Sequence, residues 1–455
     1  MVNPLEALAV QADRWKSAKL TPGLEAAARR VILDWFATTI PGSKQDTSLA
    51  LVRALQIEEA PGRSVCYADG VMRSPRVAAL LNATASHVVE FDDIFKDGGY
   101  HPGSSTIAAA LALAQHLDCS LVDLHRAIIG GYDIGCRISL AVQPSHYSFW
   151  HTTSTIGTMG AAAACAMLLG CDAEKIAHAI SLASSFAGGH QQNLKNGGTA
   201  KALHAGHAAE AGMLAAFAAA NGMTGSPDAL HGKTGYAAAT SASPGDWTAA
   251  LEGLGEWTPI ERITIKNHGC CGHIVPALDG LRLMRRQYGF SWQAVRSIRI
   301  KGYEATKTMC DRPDPQGASD ARFSVQYCIA ADMVLGAVRL SAFDEAALTH
   351  PDIRAVMPRV NVGIDPTLAA LYPRKRMAKL VVQLKDGRGF EHLQETRKGD
   401  PEDPLTLQEV VQKFDELAGS VLAERDLATL RKAILAGTEP PRHAASFAQP
   451  NVGQA

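Results

Sequence analysis

Residues His151–Gly170 read HTTSTIGTMGAAAACAMLLG. After four hydroxyl residues, Thr152, Thr153, Ser154 and Thr155, almost every position is Ala, Gly or a medium-sized apolar residue. A helix that is apolar on all faces does not lie on a surface; it belongs at the centre of a larger helical assembly. Three neighbours share this character: STIAAALALAQHL (105–117), DAEKIAHAISLASSF (172–186) and GTAKALHAGHAAEAGMLAAFAAANG (198–222). Three of the four, and part of the last, are apolar or small on most faces, which places them centrally. The text up to about residue 255 is rich in Ala and Gly and predicts helices throughout.

The character changes near residue 258. ERITIKNHG (261–269), VRSIRIKGY (295–303) and RVNVGID (359–365) alternate in the manner of strands. MAKLVVQLKDGRGFEHLQE (377–395) reads as a hairpin turning at Asp386-Gly387. Helices are expected between them, at IVPALDGLRLMRRQYG (274–289) and ASDARFSVQYCIAADMVLG (318–336). After RKGDPEDP the text is helical again, and this last segment is expected to pack back on the first. The expected fold is therefore mainly α: an all-helical domain that opens with residues 1–260, a smaller α+β lid at 261–397, and C-terminal helices at 398–455 returning to the helical domain. The tail beyond Thr438 reads as loose. There is no internal repeat.

Composition narrows the function. With 44 basic and 45 acidic residues the net charge is −1, so no bulk field favours nucleic acid or an anionic membrane. No apolar run approaches the roughly 20 residues of a bilayer span. The first twenty residues form an amphipathic helix and lack the pattern of a signal peptide, which points to the cytoplasm. Nine cysteines without a Cys-x-x-Cys pair suit reduced thiols better than disulfides or an iron–sulfur cluster. Cys136, Cys165 and Cys328 sit in apolar helical patterns and read as core residues. GxGxxG after a strand, the Walker loop, GxSxG and HExxH are all absent, so no nucleotide cofactor is expected.

Four places break local propensity. In HVVEFDDIFKDGGYHPGSS (87–105), Glu90, Asp92 and Asp93 crowd together ahead of His101 and Pro102. Pro102 suits the first turn of a helix, whose free N–H groups make an anion site beside Ser104. His101 there is a proton donor or acceptor near neutral pH; the plainer reading is a loop whose acids cap helices. His151 precedes the Thr152–Thr155 cluster at another helix start, where an ordinary hydroxyl cap is the alternative. Lys201 stands in the first turn after Gly197-Gly198-Thr199. A cation there opposes the helix dipole unless an anion binds, and His204 shares its face; the alternative is a lysine that snorkels to solvent. IKNHGCCGHIVPALDG (265–280) carries Lys266, His268, Cys270, Cys271 and His273 at the seam of the two domains. Its spacing is too cramped for a tetrahedral zinc site, and its glycines suit close approach to a ligand.

Taken in order, FDD with its downstream His-Pro (91–102), GYDIGCRI (131–138), His151–Gly170, GGTAKALHAGHAAEAG (197–212), Lys266–Asp279 and ARFSVQY (321–327) resemble the MmgE/PrpD family, essentially end to end. The resemblance implies a helical domain built from both chain ends, an α+β lid and a homodimer. Its known members act on small di- and tricarboxylates: 2-methylcitrate dehydratase, cis-aconitate decarboxylase and iminodisuccinate epimerase. It implies no organic cofactor and no metal. The site residues it implies are Glu90 (usually Asp in the family), Asp92, Asp93, His101, His151, Lys201, Lys266 and His273. Ser104, Thr152, Thr199, His204 and Cys271 stand beside them as candidate substrate contacts. The chain departs from the pattern at Ile94, often Thr, at Met309, where the animal decarboxylase has Tyr, and at Asp92, where dehydratases tend to have Asn.

These residues fit charge developing next to a carboxylate. Lysines and helix starts stabilise the growing negative charge, and His101, polarised by Asp92 and Asp93, moves the proton. The leading expectation is a dehydratase, followed by an epimerase and a decarboxylase. The non-enzyme alternative is a silent carboxylate-binding protein.

Overall fold

The computed structural model describes residues 2–58, 61–195 and 198–442. Residues 443–455 of the expected loose tail, and Gly197 of the Gly-Gly-Thr turn, lie outside them. The chain is mainly α with a smaller α/β portion. Its first half runs α1 (Pro4–Ser17), α2 (Pro22–Gly42), α3 (Asp46–Ala54), β1 (Pro61–Val65), β2 (Met72–Arg73), α4 (Pro75–Val88), α5 (Pro102–Leu117), α6 (Leu121–Val142), α7 (Thr152–Leu168), α8 (Ala173–Ser184) and α9 (Ala200–Ala220). The antiparallel β1–β2 pair is a correction to the all-helical expectation. Its backbone is anchored instead on α5, where Val65 N donates to Gln115 Oε1 at 2.8 Å.

Side-chain caps account for four of the helix starts of this half. Asn3, Thr21, Ser120 and Asp172 accept backbone N–H bonds at the heads of α1, α2, α6 and α8. Helices α5, α7 and α9, like α3 and α4, start without one: they begin after His101, His151 and Thr199, none of which caps with its side chain. The heads of α5, α7 and α9 meet at the site described below.

Helix α7 is buried from Thr152 to Met167 and packs against α5, α6, α8 and α9. Small residues set the approach. A Cβ on Gly212 of α9 would stand 2.4 Å from the Thr158 carbonyl oxygen and 2.8 Å from the Ala161 Cβ. Helix α8 is the exception to the central placement. It buries Ile176, Ala179, Ile180 and Ala183 on one face and exposes Glu174 and Lys175.

The second part contains α10 (Val275–Tyr288), β3 (Val295–Gly302), α11 (Glu304–Cys310), α12 (Val325–Leu335), β4 (Val360–Ile364), β5 (Ala378–Leu384) and β6 (Gly389–Gln394). The sheet order is β4-β3-β5-β6, with β3 and β4 parallel and the other pairs antiparallel. Ile298 and Ile300 sit in register with Val360 and Val362 on one side and with Val382 and Leu380 on the other. Helices α10 and α12 cover the sheet.

Two further expectations are corrected. ERITIKNHG is no strand: Thr264 forms an isolated bridge to Ile94, and Ile265 N donates to Gly399 O at 3.0 Å. Its neighbours are two different loops, so no ladder can extend. The helix expected over 318–336 is split, because Arg322 turns inward to donate to Val89 O (2.9 Å) and Gly269 O (3.2 Å). Ser324 then caps α12 afresh by accepting from Tyr327 N at 3.0 Å.

The chain closes with α13 (Leu407–Ala418) and α14 (Glu424–Ala436). Helix α13, started by a Thr406/Glu409 capping box, packs on α2. One hydrophobic core runs from Leu5 to Ile265 and resumes at Leu405–Ile434; a second spans Cys270 to Leu384. Among the described residues no helix is long and apolar enough to cross a membrane.

Candidate active site

The loop between α4 and α5 builds one wall. Glu90 takes φ +59°, a left-handed conformation uncommon for a non-glycine residue and costly enough to need surrounding support. That support comes from two lysines. Lys201, in the first turn of α9, pairs directly with Glu90 Oε1. Lys266 Nζ donates to the Glu90 carbonyl at 2.9 Å and stands 3.5 Å from Oε2 and 3.8 Å from Asp92 Oδ1. Burial works to raise the Glu90 carboxyl, but Lys201 and Lys266 outweigh it and hold it at about 2.

Asp92 gathers the histidines. Its Oδ2 lies 2.6 Å from His87 Nδ1 and 3.1 Å from His101 Nδ1, and accepts from Ser104 Oγ at 2.7 Å. Burial opposes its ionisation, yet His101, His87 and Lys266 hold it well below the usual carboxylate range. Burial pushes the His101 imidazole down to about 4 despite the Asp92 charge. The His151 ring stacks on His87 at 5.4 Å, and its Nδ1 is 3.2 Å from His204 Nδ1. Burial, then His87 and Lys201, depress His151 well below the ordinary histidine value.

Asp93 faces away from this cluster. Its Oδ2 accepts from Tyr132 OH at 2.7 Å and its Oδ1 from Gly103 N at 3.0 Å. Burial raises it to about 8 against the Tyr132 bond. A Cβ on Gly103 would come within 2.8 Å of both Asp93 Oδ1 and Tyr132 OH, so the close approach needs glycine there. The expectation that both acids polarise His101 is thus corrected: Asp92 touches it and Asp93 does not.

The opposite wall belongs to the second part. His273 Nδ1 is 2.9 Å from Tyr303 OH, and Tyr303 stacks on Tyr372 with centroids 4.5 Å apart. A hydrogen bond with Cys310 lowers the Cys271 thiol to about 7. Glu90, His101, His151, Lys201, Lys266, Cys271 and His273 line one small chamber of about 40 Å³. It shares Gly99, Tyr147, Leu194, Met309, Tyr372 and Arg376 with a vestibule of about 400 Å³. Thr199 lines a further small cavity with Glu90 and Lys201. Ser104 and Thr152 are buried behind the wall, Thr152 Oγ1 accepting from Gln143 Nε2 at 3.0 Å. His204 reaches the chamber through His151.

Family profiles agree with this arrangement along the chain. The MmgE/PrpD N-terminal domain matches residues 6–247 and the MmgE/PrpD C-terminal domain residues 268–436. The chain belongs to the MmgE/PrpD family. It is 24% identical to a human cis-aconitate decarboxylase over 447 residues, covering 94% of this chain and 90% of the relative. A cis-aconitate decarboxylase-like protein, oryM, of Aspergillus oryzae is 25% identical over 434 residues, with 90% and 89% covered. Cis-aconitate decarboxylase of Aspergillus terreus is 24% identical over 435 residues, with 90% and 88% covered.

In this MmgE/PrpD chain the cysteine–histidine cluster of the seam diverges. His268 Nε2 pairs with Asp279 at 2.9 Å, His273 pairs with Tyr303, and Cys271 with Cys310. Among the described residues, His87, Asp92 and His101 do bring three metal-capable atoms within 4.8 Å of one another. There, however, the Asp92 oxygen that faces His101 is already taken by hydrogen bonds from His87 Nδ1 and Ser104 Oγ. Sequence reading did not single out His87, Tyr132, Tyr303, Tyr372 or Arg376. His87 ends an apolar helix and looks like a core histidine; its only signal is the five-residue step to Asp92.

Proposed function

We propose that this chain is a lyase acting on a small di- or tricarboxylate, with His101 as the general base. The observation that carries the reading is a half-buried imidazole, held neutral by desolvation and backed by an ionised carboxylate 3.1 Å away, in a chamber that also holds Lys201 and Lys266. Asp92 occupies the His101 Nδ1 side, which leaves the other ring nitrogen for substrate. That nitrogen takes a proton from the carbon next to a carboxylate, and Asp92 stabilises the imidazolium that forms. The C–H electron pair spreads onto the carboxylate, where Lys201 and Lys266 stabilise it. The pair then forms the double bond as hydroxide leaves, protonated on departure. The His101 imidazolium formed in the first step supplies that proton, and His151 and His273, held neutral by burial, stand on the chamber wall as hydrogen-bond partners for the leaving oxygen.

The relatives' names favour a second reading, decarboxylation. There the C–CO₂ bond breaks first, its electrons pass to the adjacent system, and His101, once protonated, delivers a proton to carbon. We also carry over from the family the proposal of a homodimer.

Proton NMR in D₂O with 2-methylcitrate, citrate, cis-aconitate, iminodisuccinate and tartrate tests the reading. Deuterium at an α-carbon or new vinyl signals are expected, and the product separates loss of water from loss of CO₂. His101→Ala is expected to lower turnover by ~10²–10⁴-fold. A folded His101→Ala variant with full turnover would sink the assignment.

A further inference from the structure

Arg376 lies just ahead of β5 and lines both the chamber and the vestibule. It is 7% exposed. One Nη2 donates to the Lys96 carbonyl at 2.7 Å, across the seam on the acid-bearing loop. Its Nε is buried without a partner, and among the described residues no carboxylate stands in ion-pair contact with it. Two other buried arginines have ion-pair partners: Arg137 holds Asp133 at 2.7 Å and Arg397 holds Asp400 at 2.6 Å; Arg322 has none either, but it gives both its bonds to carbonyls.

Charge counting sharpens the contrast. On the chamber wall Lys201 and Lys266 are offset by Glu90 and Asp92. The histidines His101, His151 and His273 are all depressed toward the neutral form by burial. Arg376 is the cation of this lining without an ion pair; Asp97, on the vestibule wall, feels its charge without contacting it. A buried guanidinium without a counter-ion is expensive, and its planar fork matches a carboxylate with two parallel hydrogen bonds.

We infer that Arg376 is the anchor for a second substrate carboxylate, remote from the carbon that reacts at His101. The inference rests on the lyase reading and specifies its substrate class: a molecule with carboxylates at both ends, one at the lysines and one at Arg376. Because Arg376 is tied to Lys96 and lies 5.7 Å from the Tyr372 ring, the anchored carboxylate also fixes the seam between the two parts. Tyr372 passes that constraint to Tyr303 and His273.

Calorimetric titration of wild type, Arg376→Gln and Arg376→Lys with tricarballylate and with butyrate tests this, with melting curves to establish folding. Arg376→Gln is expected to weaken tricarballylate at least tenfold and leave butyrate unchanged, while Arg376→Lys restores part of the loss. Equal tricarballylate affinity in wild type and Arg376→Gln overturns the inference. Should the Gln variant fail to fold, wild-type affinity in Arg376→Lys overturns it, since a lysine cannot reproduce the fork. Wild type that binds tricarballylate but transforms no compound of the NMR panel removes the lyase reading and leaves the anchor standing. Wild type that binds neither probe overturns both.

Discussion

Asp92 and Asp93 are neighbours in sequence and opposites in state. Asp92 is ionised among histidines; Asp93 is protonated at neutral pH because burial raises it to about 8. The unfolded chain holds Asp93 at the ordinary value near 3.9, so between about pH 4 and 8 the native state binds the extra proton. Its stabilising contribution is full below the ordinary value and disappears as pH rises through about 8. Asp93→Asn keeps an acceptor for Gly103 N and an amide for Tyr132. The variant is therefore expected to gain on wild type as pH rises over that window, by up to ~1.4 kcal/mol per pH unit. Urea unfolding at pH 5, 6.5 and 8 measures it, and a constant difference would contradict the assignment. The sequence made the acids, His101, His151 and the lysines legible as a site. It hid the split between the two aspartates, because their directions follow from the left-handed turn at Glu90, and nothing in EFDD announces that turn.

Helix α7 is held by backbone proximity more than by large side chains. Gly212 on α9 faces the Thr158 carbonyl with no room for a Cβ. Gly212→Val must push two central helices apart, and a loss of ~1–3 kcal/mol is expected from the overpacking, read as a lower urea midpoint at unchanged slope. A midpoint within error of wild type would mean that α9 shifts freely. The central helices were readable because composition alone marks a buried helix. The β3–β6 strands were readable because alternation is local. ERITIKNHG was misleading for a specific reason: Lys266 falls on the outward, polar phase of that alternation with Arg262 and Thr264, yet it is buried, because its partners are Glu90 and Asp92 rather than solvent. Arg322 similarly breaks a helix by contacts made far away in sequence, to Val89 and Gly269.

At the scale of the molecule, α13 ties the chain's last helices to its first core. Lys413 Nζ donates to Asp34 Oδ1 at 2.6 Å and to the Phe91 carbonyl at 2.7 Å, and both side chains of the ion pair are buried. Removing one member leaves an uncompensated charge in the interior. Lys413→Met is expected to cost ~3–5 kcal/mol, and Lys413→Met with Asp34→Leu distinctly less, by denaturant unfolding. Additive losses would show that the pair is not coupled. Return of the final segment to the helical core was legible from its amphipathic pattern; that one of its lysines reaches the backbone beside Glu90 and Asp92 was not. That contact has a bearing on the protein's birth. Phe91 stands between the acids that line the site, and the group that holds its carbonyl is made only when synthesis has passed residue 413. A nascent chain can assemble most of its helices on the ribosome, but this brace of the acid loop is added only after Lys266, Arg322 and Arg376 have supplied theirs to Glu90, Val89 and Lys96, so the backbone between the acids is secured late.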